Sequence, residues 1–92
     1  SEIEIAMLMR RFPFEKRSEV VTLCKVAKEI REAFKQGSLS ITLSTRKLVD
    51  YLELRPKMGH LESLRAVLIN WLDEDDKELV LGLIERCGMQ TK

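Results

Sequence analysis

Apolar residues recur at helical spacing through most of the chain, and this pattern predicts five helical segments. The predicted segments are residues 1–14 (a first helix and its loop), 15–36, 44–55, 60–72 and 73–88. Pro56 is expected to end the third helix, because the residue before a proline disfavours helical backbone. Gly37 and Gly88 are expected to stop the second and fifth helices. The pattern therefore predicts an all-α fold, a small helical bundle.

Two stretches also allow an extended conformation. The alternate positions Ile3, Ile5, Met7 and Met9 carry large apolar side chains, which fits a strand as well as a helix. We favour a helix because no second strand is evident to pair with it. Residues 37–43 alternate Leu39, Ile41 and Leu43 with Ser and Thr, which predicts an extended loop with one face buried against the helices.

The apolar stripes of the helices predict the core. Trp71 is expected to be its largest contributor, with a loss of about 3–5 kcal/mol on truncation to Ala. His60 follows a glycine at a helix start and is expected to be exposed. The predicted core residues are Val20, Cys24, Ala27, Phe34, Leu48, Leu52, Leu64, Leu68, Trp71, Leu79 and Leu83.

Composition narrows the function classes. The chain has 92 residues, 45% of them hydrophobic, which is enough for one small domain. A net charge of +1 gives no basic excess that would favour nucleic acid as a partner. No apolar run approaches the roughly 20 residues that span a bilayer, so no membrane partner is expected. No signal peptide is evident, Ser1 is typical of a fragment boundary, and a cytoplasmic location is expected.

Cysteines and acids do not form a recognisable metal or catalytic pattern. Cys24 and Cys87 lie on apolar helix faces and are predicted to be reduced thiols rather than a disulfide. The acidic run Asp73–Asp76 lacks the glycine and spacing of a calcium loop. It is better explained as a helix start, where acidic side chains cap the helix and complement its dipole. No metal ligand set and no catalytic constellation is predicted.

The start of the third helix has an unusual charge pattern. Ser44 is a good N-cap, and Thr45, Arg46 and Lys47 would then be the first three helical residues. Cations in a first turn oppose the helix dipole, at a cost of a few tenths to about 1 kcal/mol. The simpler interpretation is that both cations point into water. The alternative is an anion site, because free helix N–H groups and a cation suit a phosphate.

Three segments of the chain, taken in order, resemble a known family. Arg11–Pro13 reads Arg-Phe-Pro, Ile30–Leu48 contains Ala-Phe, a glycine, Ser-Leu-Ser and Ser-Thr-Arg, and Leu64–Asp76 has apolar residues, an Asn and an acidic turn. These motifs resemble the lid subdomain of MoxR-like AAA+ ATPases. They are most similar to the branch that contains the small subunit of cobaltochelatase.

The resemblance implies specific roles. Arg46 matches the family's sensor-2 arginine, which reaches the γ-phosphate of a nucleotide held by the ATPase core, with Ser44, Thr45 and Lys47 as neighbouring candidate contacts. Thr45 stands where many relatives have proline, which is harmless at a first helical position. ATP and Mg are implied for the intact parent ATPase only. The phosphate loop belongs to the core, so this domain alone is expected to bind no cofactor and to be inactive.

The same resemblance implies partners. They are the ATPase core of the same chain, neighbouring subunits in a ring, and an unidentified client, in a chelatase-like machine. A different class, a stand-alone helical interaction module with no nucleotide role, remains the alternative. DNA binding through Arg46, Lys47 and Arg55 is disfavoured by the near-neutral charge. An exposed Arg46 at a helix start would favour the sensor.

Overall fold

The computed structural model describes all 92 residues, and its regular structure is entirely helical. This confirms the predicted all-α fold, and residues 3–9 are helix rather than strand. The elements are α1 Glu2–Arg11, α2 Arg17–Lys35, α3 Thr45–Met58, α4 His60–Val67, a short 3-10 helix Ile69–Trp71, and α5 Glu74–Arg86.

Local side chains explain several helix ends. The Ser44 and Asp73 side chains accept hydrogen bonds from backbone N–H groups three residues on, at the starts of α3 and α5. The acidic run therefore starts a helix, as predicted. Gly37 follows α2 with φ +80°, the left-handed conformation that glycine adopts without steric strain. Its predicted role as a helix stop is confirmed.

The third helix does not end at Pro56, and that prediction was wrong. Pro56 lies in the last turn of α3, where its missing N–H removes only one backbone hydrogen bond. The helix ends at Gly59, which has φ +86° and donates its N–H to the Arg55 carbonyl at 2.9 Å. Gly59 is also the residue from which α4 starts, so no linker separates the two helices.

The fourth helix is shorter than predicted, and this changes the position of Trp71. Leu68 leaves the helical conformation, with φ −137° and ψ −64°, and the chain continues as the 3-10 helix. A tighter helix after a break does not preserve the 3.6-residue period. Trp71 is consequently 67% exposed, and its indole N–H donates to the Ala66 carbonyl at 2.9 Å. The prediction of Trp71 as a core residue was wrong.

The core joins all five helices and the loop of residues 37–43. In this packing α1 contacts α2, α2 contacts α5, and α3 contacts α4. Leu39 and Leu43 are buried, which confirms the predicted extended loop. Among the predicted core residues, Phe34 in the last turn of α2 is 43% exposed and Leu79 is half-buried. The others apart from Trp71 are buried, namely Val20, Cys24, Ala27, Leu48, Leu52, Leu64, Leu68 and Leu83.

His60 is a bridging residue and not the exposed one that was predicted. It is half-buried, with Nδ1 2.6 Å from the Tyr51 hydroxyl and Nε2 2.7 Å from the Gln90 carbonyl. A carbonyl can only accept, so Nε2–H donates to Gln90, and in the neutral ring Nδ1 accepts from Tyr51. These contacts connect α3, α4 and the C-terminal segment.

Neither cysteine forms a disulfide. Cys24 and Cys87 are both free thiols, and burial raises the pKa of each.

None of the helices has the combination of length and apolar character that crossing a bilayer requires.

Candidate functional site

The N-terminus of α3 carries four sequence-predicted site residues in consecutive positions. Ser44 caps the helix by accepting from the Lys47 N–H at 3.3 Å. The other four α-helices each have at least one acidic residue in the first turn, and α3 has none. The partial positive charge at this helix end is therefore not compensated by its own first turn.

Arg46 is the most accessible charged group at this helix end. It is the second residue of α3, and its side chain is 83% exposed. Its Nε lies 3.2 Å from Oδ1 of Asp50, one turn further along the same helix. Exposed pairs of this kind contribute only about 0–1 kcal/mol. The guanidinium can therefore exchange Asp50 for another anion at little energetic cost.

The neighbours of Arg46 are engaged inside the domain. The Thr45 hydroxyl donates to Oε2 of Glu4 at 2.7 Å. The Lys47 ammonium lies 5.0 Å from the centroid of the Trp71 ring, within the range of a cation–π contact. All four candidates lie at one helix end, and of their charged groups only the Arg46 guanidinium has no partner outside its own helix.

A partly buried ion pair lies next to this helix end. Glu4 of α1 is 9% exposed, and Arg31 of α2 binds both its carboxylate oxygens, at 3.0 and 2.9 Å. Arg31 Nε also donates to the Leu43 carbonyl at 2.7 Å. We call Glu4, Arg31, the Leu43 carbonyl and the Thr45 hydroxyl the Glu4–Arg31 clamp. It joins α1 and α2 to the residues on either side of Ser44.

The clamp is charged at neutral pH. The hydrogen bond from Arg31 is the largest influence on Glu4 and lowers the pKa of its carboxyl, against the opposing effect of burial. The Glu4 carboxylate in turn raises the pKa of Arg31. Both groups favour their ionised forms, so the pair is an intact salt bridge over the physiological range.

A second contact anchors the loop that leads into α3. The backbone N–H and the hydroxyl of Ser40 both donate to Oδ2 of Asp76, at 3.2 and 2.5 Å. Asp76 is 8% exposed, and its own N–H donates to the capping Asp73 at 2.8 Å. The chain is therefore held at Ser40 and again at Leu43 before it enters the helix.

Sequence reasoning missed Glu4, Arg31 and Asp76. A partial signal was present in α1, since Glu4 lies four residues before the fully buried Leu8, on the face that packs against the core. The same holds for Arg31, which lies four residues after the fully buried Ala27 in α2. A charged residue at a core-facing position indicates a buried partner. The spacing of residues along the chain does not indicate which partner it is.

Arg55 has a structural role. It pairs with Glu15 and Glu19, the latter at 2.9 Å, and its side chain is 20% exposed. Burial lowers its pKa from the usual arginine value, and the two carboxylates supply the compensating charge. DNA binding through α3 thus loses one of the three cations on which it depended. No group of three or more His, Cys, Asp or Glu side chains is arranged to hold a metal ion.

Comparison with known proteins identifies the family to which the domain belongs. The family model described as CbbQ/NirQ/NorQ C-terminal matches residues 4–88. Comparisons with curated proteins and with solved structures found no match. This family domain is the C-terminal lid of MoxR-like AAA+ ATPases, which confirms the lid resemblance, while the cobaltochelatase branch stays a prediction. The chain belongs to the CbbQ/NirQ/NorQ C-terminal family and is the lid subdomain of an AAA+ ATPase.

Proposed function

We propose that this lid senses bound ATP through Arg46, as a sensor-2 residue that contacts the γ-phosphate. The observation that carries the proposal is an 83% exposed guanidinium at the second residue of a helix. Free N–H groups at a helix start and an adjacent cation favour a phosphate ligand. Arg55, on the same helix, is by contrast held among carboxylates inside the domain.

The nucleotide belongs to the intact ATPase. ATP and Mg would be bound by the ATPase core, and the lid would add one arginine to the phosphate end of that site. A planar, charge-assisted contact there acts where negative charge develops during hydrolysis. The domain alone offers one arginine and a few N–H groups, so we expect it neither to hydrolyse ATP nor to bind it tightly.

Loss of the γ-phosphate would remove the contact and release the lid. The lid associates with the ATPase core of its own chain. We propose that its movement also reaches neighbouring subunits in a ring and, through them, a client protein. Three large apolar side chains are available for such contacts, since Ile3, Phe14 and Trp71 are 83%, 100% and 67% exposed.

The test is the ATPase rate of the intact protein after substitution of Arg46. Arg46→Ala should lower the rate tenfold or more, which corresponds to about 1.4 kcal/mol of transition-state stabilisation or greater. Arg46→Lys should restore part of it, because a point charge does not reproduce the planar fork. The melting temperature should stay near the parental value, since the side chain is exposed and opposes the helix dipole.

Arg65→Ala is the matched control. Arg65 is also an exposed arginine paired with an acid of its own helix, Glu62, but it lies on α4 away from a helix start. It should leave the rate unchanged. Lys47→Ala should have only a small effect, because its ammonium contacts Trp71. An Arg46→Ala protein with the parental rate would contradict the sensor and favour the interaction-module alternative.

A further inference from the structure

We propose that Glu4 and Arg31 are positioning residues for Arg46, holding the start of α3 in a fixed relation to α1. The inference rests on the proposed function of Arg46 and adds to it the residues that orient the sensor.

The clamp contacts the chain on both sides of the helix cap. Arg31 Nε binds the carbonyl of Leu43, one residue before Ser44, and Glu4 Oε2 accepts from Thr45, one residue after it. Both distances are 2.7 Å. Arg46 is the next residue, so its Cα position is set by a backbone segment that is fixed at two points.

The geometry of the clamp leaves little freedom. Arg31 uses Nε, Nη1 and Nη2 in three hydrogen bonds, and the planar guanidinium fixes their relative directions. Glu4 accepts three hydrogen bonds in a site where it is 9% exposed. Hydrogen bonds weaken beyond about 3.2 Å, so a displacement of α1 by about 1 Å relative to α2 and α3 would break the bonds that Glu4 accepts from Arg31 and Thr45.

A second ion pair between the same two helices shows what is particular to the clamp. Glu2 of α1 and Arg17 of α2 are 3.2 Å apart, but their side chains are 84% and 59% exposed. Neither has a hydrogen bond or ion pair to α3. This pair resembles the clamp in chemistry and in the helices it joins, and differs in lacking the connection to the cap of α3. Glu2→Gln is therefore the matched control for Glu4→Gln.

The first experiment measures ATPase rates of the intact protein. Glu4→Gln and Thr45→Val are compared with Glu2→Gln, each alone and combined with Arg46→Ala. Because contacting residues couple energetically, the two clamp variants should lower the rate about threefold to tenfold when Arg46 is present. They should have almost no further effect in the Arg46→Ala background, and Glu2→Gln should change neither rate.

The second experiment measures amide hydrogen exchange without nucleotide. The N–H groups of Lys47 and Leu48 bond to Ser44, and their exchange should become faster in Glu4→Gln and Thr45→Val but not in Glu2→Gln. Melting temperatures accompany both experiments. If Glu4→Gln fails to fold, Thr45→Val decides, because it removes one hydroxyl and leaves the Glu4–Arg31 ion pair in place.

The outcomes separate this inference from the proposed function. Equal rate losses with and without Arg46, or parental rates and exchange in both clamp variants, would overturn the positioning role while Arg46 remains the sensor. A parental rate for Arg46→Ala alone would overturn the sensor. In that case unchanged exchange at Lys47 and Leu48 would show that the clamp does not order the helix start either, and faster exchange would show that it does.

Discussion

At the scale of single residues, side chains of the same type have different roles because their environments differ. Arg46 and Arg55 lie on one helix, yet their side chains are 83% and 20% exposed. Arg46 pairs with a surface carboxylate and is free to exchange it, whereas Arg55 compensates two carboxylates in a partly buried site. The difference follows from which face of α3 each side chain occupies, and it determines which arginine is available to a ligand.

Tyr51 gives a residue-scale prediction about pH. It is the only tyrosine in the chain, and burial, assisted by the negative charge of Glu19, raises its pKa to about 12. The fold therefore favours the neutral phenol. Its contribution to stability is complete below the unfolded pKa of about 10 and is lost as the pH rises from about 10 to about 12. The ultraviolet absorbance of tyrosinate should reach its midpoint near pH 12.

The control is the same titration of the urea-unfolded chain, where the midpoint should fall to about 10. Tyr51→Phe should abolish the signal. Circular dichroism at each pH shows whether the helices persist. A midpoint near 10 in a protein that is still helical would show that Tyr51 is not buried as described.

At the scale of elements, the α3–α4 junction is the shortest connection between two α-helices of the domain. Gly59 alone separates the two helices, with φ +86° and ψ 171°. Its carbonyl accepts from both the N–H and the hydroxyl of Ser63, at 3.1 and 2.6 Å. Ser63 is fully buried, so the direction in which α4 leaves α3 depends on this one glycine conformation.

Gly59→Ala tests the junction. A Cβ there meets no atom within 4 Å, so the substitution changes only the backbone energy. This conformation is almost confined to glycine, and the variant should lose about 1–3 kcal/mol of stability in urea unfolding. Gly82→Ala is the control, since Gly82 is inside α5 and its nearest neighbour would be Arg86 at 3.7 Å. It should gain about 0.5–1 kcal/mol. Shifts of the same sign would contradict the described junction.

At the scale of the whole molecule, one apolar core of 22 buried residues joins every helix. Leu68 belongs to it and is 1% exposed, although it lies at the break between α4 and the 3-10 helix. Trp71, three residues later, is outside it. Because of the break, the core contacts of this segment are made by Leu68 and not by the larger side chain of Trp71.

Two alanine substitutions test this distribution. Leu68→Ala should cost about 2–5 kcal/mol, a large fraction of the roughly 5–15 kcal/mol that a small domain has. Trp71→Ala should cost about 1 kcal/mol, because it loses mainly the Lys47 contact and one hydrogen bond. Melting temperatures measure both. If Trp71→Ala lost more stability than Leu68→Ala, the sequence-based expectation that Trp71 is a core residue would be restored.

Whether a feature was predicted correctly from the sequence depends on the range of the interactions that produce it. Helix number, the Ser44 cap, the Gly37 stop and the buried faces of most helices were predicted correctly. Each depends on residues within a few positions of one another, where side-chain chemistry and helical period act directly. The family was recognisable for a related reason, since its motifs are short and occur in order along the chain.

The errors and omissions depend on longer-range contacts. Glu4 and Arg31 are 27 positions apart, and Glu4 and Thr45 are 41 apart. Their partnership arises only when α1, α2 and the start of α3 pack together. The exposure of Trp71 and the bridging role of His60 likewise depend on how the chain bends at Leu68 and where Gln90 returns. The sequence by itself determined the helices and the placement of Arg46 at a helix start, because these follow from local backbone energetics. Only the tertiary structure decided which distant groups contact the start of α3, because the stabilisation of a buried charge such as that of Glu4 depends on groups that folding brings to it from distant parts of the chain.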